Sequence, residues 1–228
     1  MNLLKGEHLS MFELSQEEGE LLVKLARKAV ETYLKTEGQV LAVPRNVPSK
    51  FRQACGVFVT INRGKGKHKT LRGCIGYPYP TTPLAQAVIE SAVNAATQDP
   101  RFLPLSLDEL DQAVFEVSVL TPPEAIYVKT PKECPSKIRV GVDGLIVEWG
   151  ICKGLLLPQV PVEWRWNEEE FLSQCCIKAG LPPDSWLIKG VKIYKFNCVI
   201  AEELTPKGKV EIRDLRKELE EKAKSNSE

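Results

Sequence analysis

No apolar stretch in this chain approaches the ~18 residues that a membrane-crossing helix needs. Histidine is nearly missing: His8 and His68 are the only two, one near a chain end and one in a charged loop. A histidine-rich metal centre is therefore not expected, and a Cys/His catalytic pair would need one of two badly placed rings. An excess of charge of either sign is missing as well, since 31 basic residues stand against 30 acidic ones; bulk attraction to nucleic acid or to a membrane is not expected. The seven cysteines form no CxxC pair and no regular framework, which points to reduced thiols in a cytosolic compartment. Met1 to Gly6 lacks the apolar core of a secretion signal, so the expectation is a soluble cytoplasmic protein. Its 228 residues suffice to bury roughly 70% of the unfolded surface, with no metal or disulfide needed.

What is present is a well-punctuated α+β pattern. Ser15-Gln16-Glu17-Glu18 is a capping box, in which hydroxyl and carboxylate each satisfy the other's backbone amide. Leu21, Leu22, Leu25, Ala29, Tyr33 and Leu34 follow at helical spacing, so a helix is predicted from Ser15 to about Lys35. Gly56 to Ile61 reads as a strand, and Arg63 to Lys69 as a cationic turn leading into a second strand over 70–76. Thr82-Pro83 opens a helix with a face of small residues that stops near Gln98. A second capping box, Ser106 to Glu109, starts a short helix, and Val114 to Leu120 is a strand that puts Glu116 and Ser118 on one face, as a solvent face or as part of a site.

The stretch Leu71-Arg72-Gly73-Cys74-Ile75-Gly76 draws the most attention. Strand alternation places Arg72, Cys74 and Gly76 on one side. The glycines leave backbone bare beside the thiol, a feature of close approach by a ligand or another segment. A buried structural cysteine in a glycine-kinked strand fits the same residues.

The order then recurs. Leu145 to Trp149 is a strand, Gly154 to Leu157 is another ending at Pro158, Glu168 to Lys178 is a helix closed by Gly180, and Val191 to Leu204 is a long last strand. From Val210 onward, Ile212, Leu215 and Leu219 make a narrow apolar seam, sized for a helix lying on the body or on a second copy of the chain; disorder is expected beyond Lys222.

LRGCIG at 71–76, DPRF at 99–102, FEVSVLTPPE at 115–124 and GLLLPQV at 154–160, in this order, resemble the AMMECR family. The resemblance implies two β3-α2-β-like repeats sharing one curved, barrel-like sheet. It implies an AMMECR domain over 1–204 built of lobes at about 15–122 and 123–204 with a cleft between them, and a charged tail from 205 to 228. The family has no established activity, and no cofactor is implied. Its members are often encoded beside Memo-like and radical-SAM proteins, which implies a shared modification pathway. Carried over residue by residue, the motifs nominate Arg72, Gly73, Cys74 and Gly76, then Asp99 and Arg101 with Phe102, Glu116 and Ser118, and Leu157, Pro158 and Gln159.

Two functions follow. In one, Cys74 is a nucleophile or redox group whose pKa the Arg72 guanidinium lowers below about 8.5, Arg72 and Arg101 hold an anionic substrate, and Glu116, Asp99 or Glu148 handles the proton, because arginine cannot. In the other, the same residues form a non-catalytic site for a peptide, a partner protein or a small anion. A nucleic-acid role lacks the basic stripe and stacking aromatics it would need.

Overall fold

A computed structural model describes residues 14–64 and 69–224. His8, His68, most of the cationic turn and the end of the tail lie outside the described residues. The chain divides into two compact units, Met1–Pro122 with Val199–Arg213, and Pro123–Cys198 with Asp214–Glu228. Residues 199–213 thus belong with the first unit rather than with a second lobe and a separate tail.

In the first unit, helix α1 (Gln16–Lys35) begins at the Ser15 capping box, and its apolar stripe, including Leu22, Leu25, Ala26 and Ala29, is buried. Strands β1 (Gly56–Arg63) and β2 (Thr70–Tyr77) form an antiparallel hairpin. Helix α2 (Leu84–Thr97) starts one residue later than the sequence predicts: Pro83 takes the cap position, and the Thr82 carbonyl accepts from the Cys55 amide. Helix α3 (Leu107–Leu110) has the expected Ser106 box. Strand β3 (Ala113–Leu120) then pairs with β1. Strands β8 (Cys198–Glu203) and β9 (Val210–Ile212) complete a five-stranded sheet in the order β2-β1-β3-β8-β9. Helices α1 and α2 pack against each other and against strands of this sheet, and the core lies between.

The second unit carries the two-residue strand β4 (Glu124–Ala125), β5 (Gly144–Trp149), β6 (Cys152–Leu156), helix α4 (Gln159–Trp164), helix α5 (Glu168–Lys178) and β7 (Lys192–Phe196). Its sheet runs β4-β7-β5-β6. Each unit therefore holds a hairpin, a helix over it and a returning strand beside the first hairpin strand. The last helix, α6 (Leu215–Lys224), packs on α4.

The mixed α and β composition agrees with the sequence reading, and four differences stand beside it. The strands form two open sheets, where the resemblance implied one barrel-like sheet. The segment 191–204 is not one strand, because at Asn197 the chain leaves one sheet for the other; its side-chain amide donates to the Val142 carbonyl and to Asp143. Val210–Ile212 is a strand and not the start of the tail helix, since it pairs with Ala201–Glu203. Helix α4 is absent from the sequence reading because Pro158 and Pro161 look like breakers, yet they occupy the cap and first turn, where a missing N–H costs little.

Strand β3 is buried at every position, so Glu116 and Ser118 do not form a solvent face. Beside it, Glu203 accepts from Arg27 through both carboxylate oxygens and from the Phe115 amide at 3.0 Å. Arg27 also donates to the carbonyls of Leu110 and Ala113 and lies 4.7 Å from the Phe115 ring centroid. This pair joins helix α1 to the sheet with its charges answered.

Two strand glycines occupy corresponding places. A Cβ on Gly73 of β2 would fall 2.0 Å from the Ala95 carbonyl oxygen, and one on Gly154 of β6 would fall 2.5 Å from the Ala179 nitrogen. Each lets a helix backbone rest on the sheet.

Removing one member of the buried pair, by Arg27→Met or Glu203→Gln, should cost about 3–5 kcal/mol in urea unfolding, and the double change Arg27→Met/Glu203→Leu should recover part of it; single variants as stable as the parent would contradict this account. Gly73→Ala should lose about 2 kcal/mol or more by the same measurement, because backbone rather than a flexible side chain must give way.

Candidate functional site

The candidate site grows from strand register in the first unit. Thr60 on β1 faces Cys74 on one side and Glu116 on the other. In the next row Phe58 faces Gly76 and Ser118. Register alone thus sets a thiol, a hydroxyl and a carboxylate side by side on three strands. The Thr60 hydroxyl donates to the Cys74 sulfur at 3.3 Å. Glu116 is 4% exposed, and a charge held there requires a partner. Arg213, arriving just after β9, supplies it at 2.9 Å. Glu202 extends the network, 3.7 Å from the Arg213 Nε and paired with Lys69.

The DPRF turn comes to the same strand from the end of α2. Asp99 is buried, and its Oδ2 accepts from the Cys74 backbone amide at 2.8 Å. Because β2 is the edge of its sheet, this bond closes an amide that no neighbouring strand reaches. Arg101 grips the same carboxylate through Nε at 2.9 Å and Nη2 at 2.6 Å, with 44% of its side chain exposed. Its guanidinium lies 5.4 Å from the Phe102 ring centroid.

Arg72 behaves differently from the expectation. The register shifts between Ile61 and Asn62, so that Gly73 and Leu71 are paired and Arg72 is the inserted residue. The simple alternation that would set it beside Cys74 is broken. Its Nε and Nη2 instead donate to Glu109, both at 3.0 Å, and its guanidinium lies 5.8 Å from the Phe102 centroid.

The acid–base character follows from these contacts. Burial pushes the half-buried Cys74 thiol above the ordinary cysteine range; the Thr60 hydroxyl and Arg101 pull it down, and the carboxylates of Glu116 and Asp99 push it up. The Arg101 hydrogen bonds, followed by the Cys74 amide, hold Asp99 down to about 2. Arg72, with the Ser106 amide, holds Glu109 down to about 2. The thiol is therefore protonated at neutral pH, and Asp99 is too weak a base to deprotonate it.

The remaining sequence candidates are placed as follows. Gly73 faces helix α2 and serves packing, whereas Gly76 lies in the row of Ser118. Ser118 is fully buried, and its hydroxyl has no hydrogen-bond partner among the described residues. Glu148, Pro158 and Gln159 belong to the second unit. Glu148 pairs with Lys153 at 2.8 Å, Pro158 precedes helix α4, and the buried Gln159 opens it. Thr60, Lys69, Glu202 and Arg213 were not anticipated. Only Thr60 left a signal, in the polar alternation of β1; Arg213 reaches Glu116 across 97 positions of sequence. Among the described residues no group of three or more His, Cys, Asp or Glu side chains could hold a metal ion. A surface hollow lined by Arg27, Glu31, Lys35, Asp108, Asp111 and Lys207 contains none of the motif residues.

Both depressed carboxyls give the same pH sign. A folded-state pKa near 2 against unfolded values of 3.8 for Asp99 and 4.5 for Glu109 means stabilisation that is complete above about pH 5 and lost as pH falls toward 2. Allowing for the solvent around Arg101, the Asp99 contribution is about 1–2 kcal/mol. Thermal unfolding followed from pH 6 to about pH 2.5 should show the midpoint falling, with a shallower fall and a lower neutral-pH midpoint in Asp99→Asn. An acid limb identical to the parent's would rule this linkage out.

The comparisons with known proteins bear on the whole chain. The family model of AMMECR1 matches residues 23–201. The chain is 54% identical over 206 residues to Protein PH0010 of Pyrococcus horikoshii, covering 90% of this chain and 99% of that protein. It is 51% identical over 197 residues to Protein MJ0810 of Methanocaldococcus jannaschii, covering 86% of this chain and 96% of that one. The crystal structure of the uncharacterized Protein PH0010 is similar at a TM-score of 0.85 and 53% identity, covering 88% of this chain and 98% of that chain. A chain matched over this length, at this identity and in this fold belongs to the AMMECR1 family.

Proposed function

We propose that the Cys74–Asp99–Arg101 corner of the first unit is a non-catalytic binding site for a peptide or small molecule presenting carboxylate or carbonyl oxygens. One observation carries this reading: Asp99 spends its carboxylate on the Cys74 amide and on two guanidinium nitrogens, leaving the outer edge of an exposed Arg101 beside a neutral thiol. A planar guanidinium held on one side by a carboxylate keeps further N–H donors for acceptor oxygens on the other. The Phe102 ring lies beside that donor set, its centroid 5.4 Å from the guanidinium.

The enzyme reading rests on a different observation, the in-register row of Cys74, Thr60 and Glu116. A nucleophilic thiol there needs a base, and Glu116 is already engaged by Arg213. Binding without covalent chemistry asks nothing further of these groups. A place in a pathway with Memo-like and radical-SAM proteins, as the family resemblance implies, is compatible with either reading.

Alkylation by iodoacetamide, compared between the parent and Cys74→Ser, isolates the Cys74 rate against pH. That rate should rise only above the ordinary cysteine pKa of about 8.5, and malonate should slow it in the parent but not in Arg101→Gln. A labelling midpoint well below that value would favour the catalytic thiol instead, and absence of malonate protection would remove the binding proposal.

A further inference from the structure

The second unit ends in a cluster that no motif of the first unit involves. Trp149 pairs with Cys152 across the β5–β6 hairpin, so Gly150 and Ile151 alone form its tip. Gly150 takes the left-handed backbone, φ +59°, that so short a connection demands. Ile151 is 99% exposed. Turn positions ordinarily carry Asn, Asp, Gly or Ser, and a fully solvated β-branched side chain contributes nothing to the turn.

Register brings further apolar side chains to the same end. Val147 pairs with Gly154, whose bare Cα faces the backbone of Cys175 and Ala179, so this face of the sheet lies under helix α5. Trp149 shares that face by the period of two, beyond the end of the helix where Ile177 stands. Lys192, the first residue of β7, pairs with Glu148 one position before Trp149, so the segment carrying Leu187 and Ile188 leads into β7 at this end of the sheet. Trp149, Ile177, Leu187 and Ile188 are each 40–49% exposed.

The charge around these side chains is mostly positive, four lysines against two acids. Lys153, Lys178, Lys189 and Lys192 are all exposed. Of the acids nearby, Glu148 is held by Lys153 at 2.8 Å, which leaves Asp184 as the exposed one. A whole chain balanced to a net +1 thus carries a local cationic rim around an apolar tip.

We infer that this end of the second unit is a peripheral docking surface for an anionic lipid bilayer. Ile151 enters the acyl boundary, Trp149 lies at headgroup depth, and the lysines meet the lipid phosphates. An isoleucine projecting from a hairpin tip needs no matching pocket in lipid, whereas a protein partner would have to supply one. The lysine rim opposes pairing with a second identical copy through this face.

Flotation of the full chain with phosphatidylcholine vesicles, with and without phosphatidylglycerol, tests the inference. The protein should float with the anionic vesicles only, and less so as salt rises. Ile151→Asp should lower partitioning at least tenfold, and each of Lys189→Glu and Lys192→Glu by about fivefold or more. All three positions are exposed, and an unchanged thermal midpoint verifies folding. Equal flotation with neutral vesicles, no flotation with either, or variants that float like the parent would overturn it. A dimer seen in sedimentation that Ile151→Asp abolishes, without vesicle binding, would assign the face to a second copy instead.

Discussion

Burying β3 on both of its faces is the constraint from which the first unit follows. One face packs under the helices and is apolar, so it needs nothing further. The other carries Glu116 and Ser118, while on the helix side the end of the neighbouring β8 carries Glu203. A carboxylate in such a place is tolerated only when a cation and additional donors surround it. Arg27 from the first helix and Arg213 from the last strand region meet that demand. Two segments at opposite ends of the chain are thereby committed to one sheet, and the row of Thr60 and Cys74 takes its position from the same strand pairing.

The same demand accounts for the chemistry of the thiol. Each charged side chain near Cys74 is already engaged by another, and burial outweighs the pull of Thr60 and Arg101 on the sulfur. Asp99 illustrates this best: its role at the sheet edge, closing an amide, is inseparable from its grip on Arg101. A group fixed in that way orients donors well and transfers protons poorly.

What could be read in the sequence was local. The Ser15 and Ser106 boxes announce their helices because both partners of each bond lie within four residues. Gly180 marks the end of α5 for a similar reason, since a left-handed residue after a helix is a nearest-neighbour matter. Cys74, Asp99 and Arg101 were legible as a set through the resemblance of their motifs. The role of Arg72 was not, because one inserted residue in the register redirects a side chain without altering the apolar pattern. Nor were Arg213 and Lys69, whose partners are separated from them by 97 and 133 positions. The break at Asn197 escaped for another reason: both halves favour strand, and only tertiary pairing decides that they join different sheets.

The crossing at Asn197 has a bearing on how the protein is made. Strand β8 and its partner β9 leave the ribosome long after β1, β2 and β3, yet they belong to the sheet of the earlier strands. Until they arrive, β3 is an open edge, and Arg27 waits for a carboxylate 176 positions downstream. Completion of the first unit is thus deferred until residues 198–212 have emerged, a topology that slows folding and lengthens the interval in which a nascent strand edge is available to other chains.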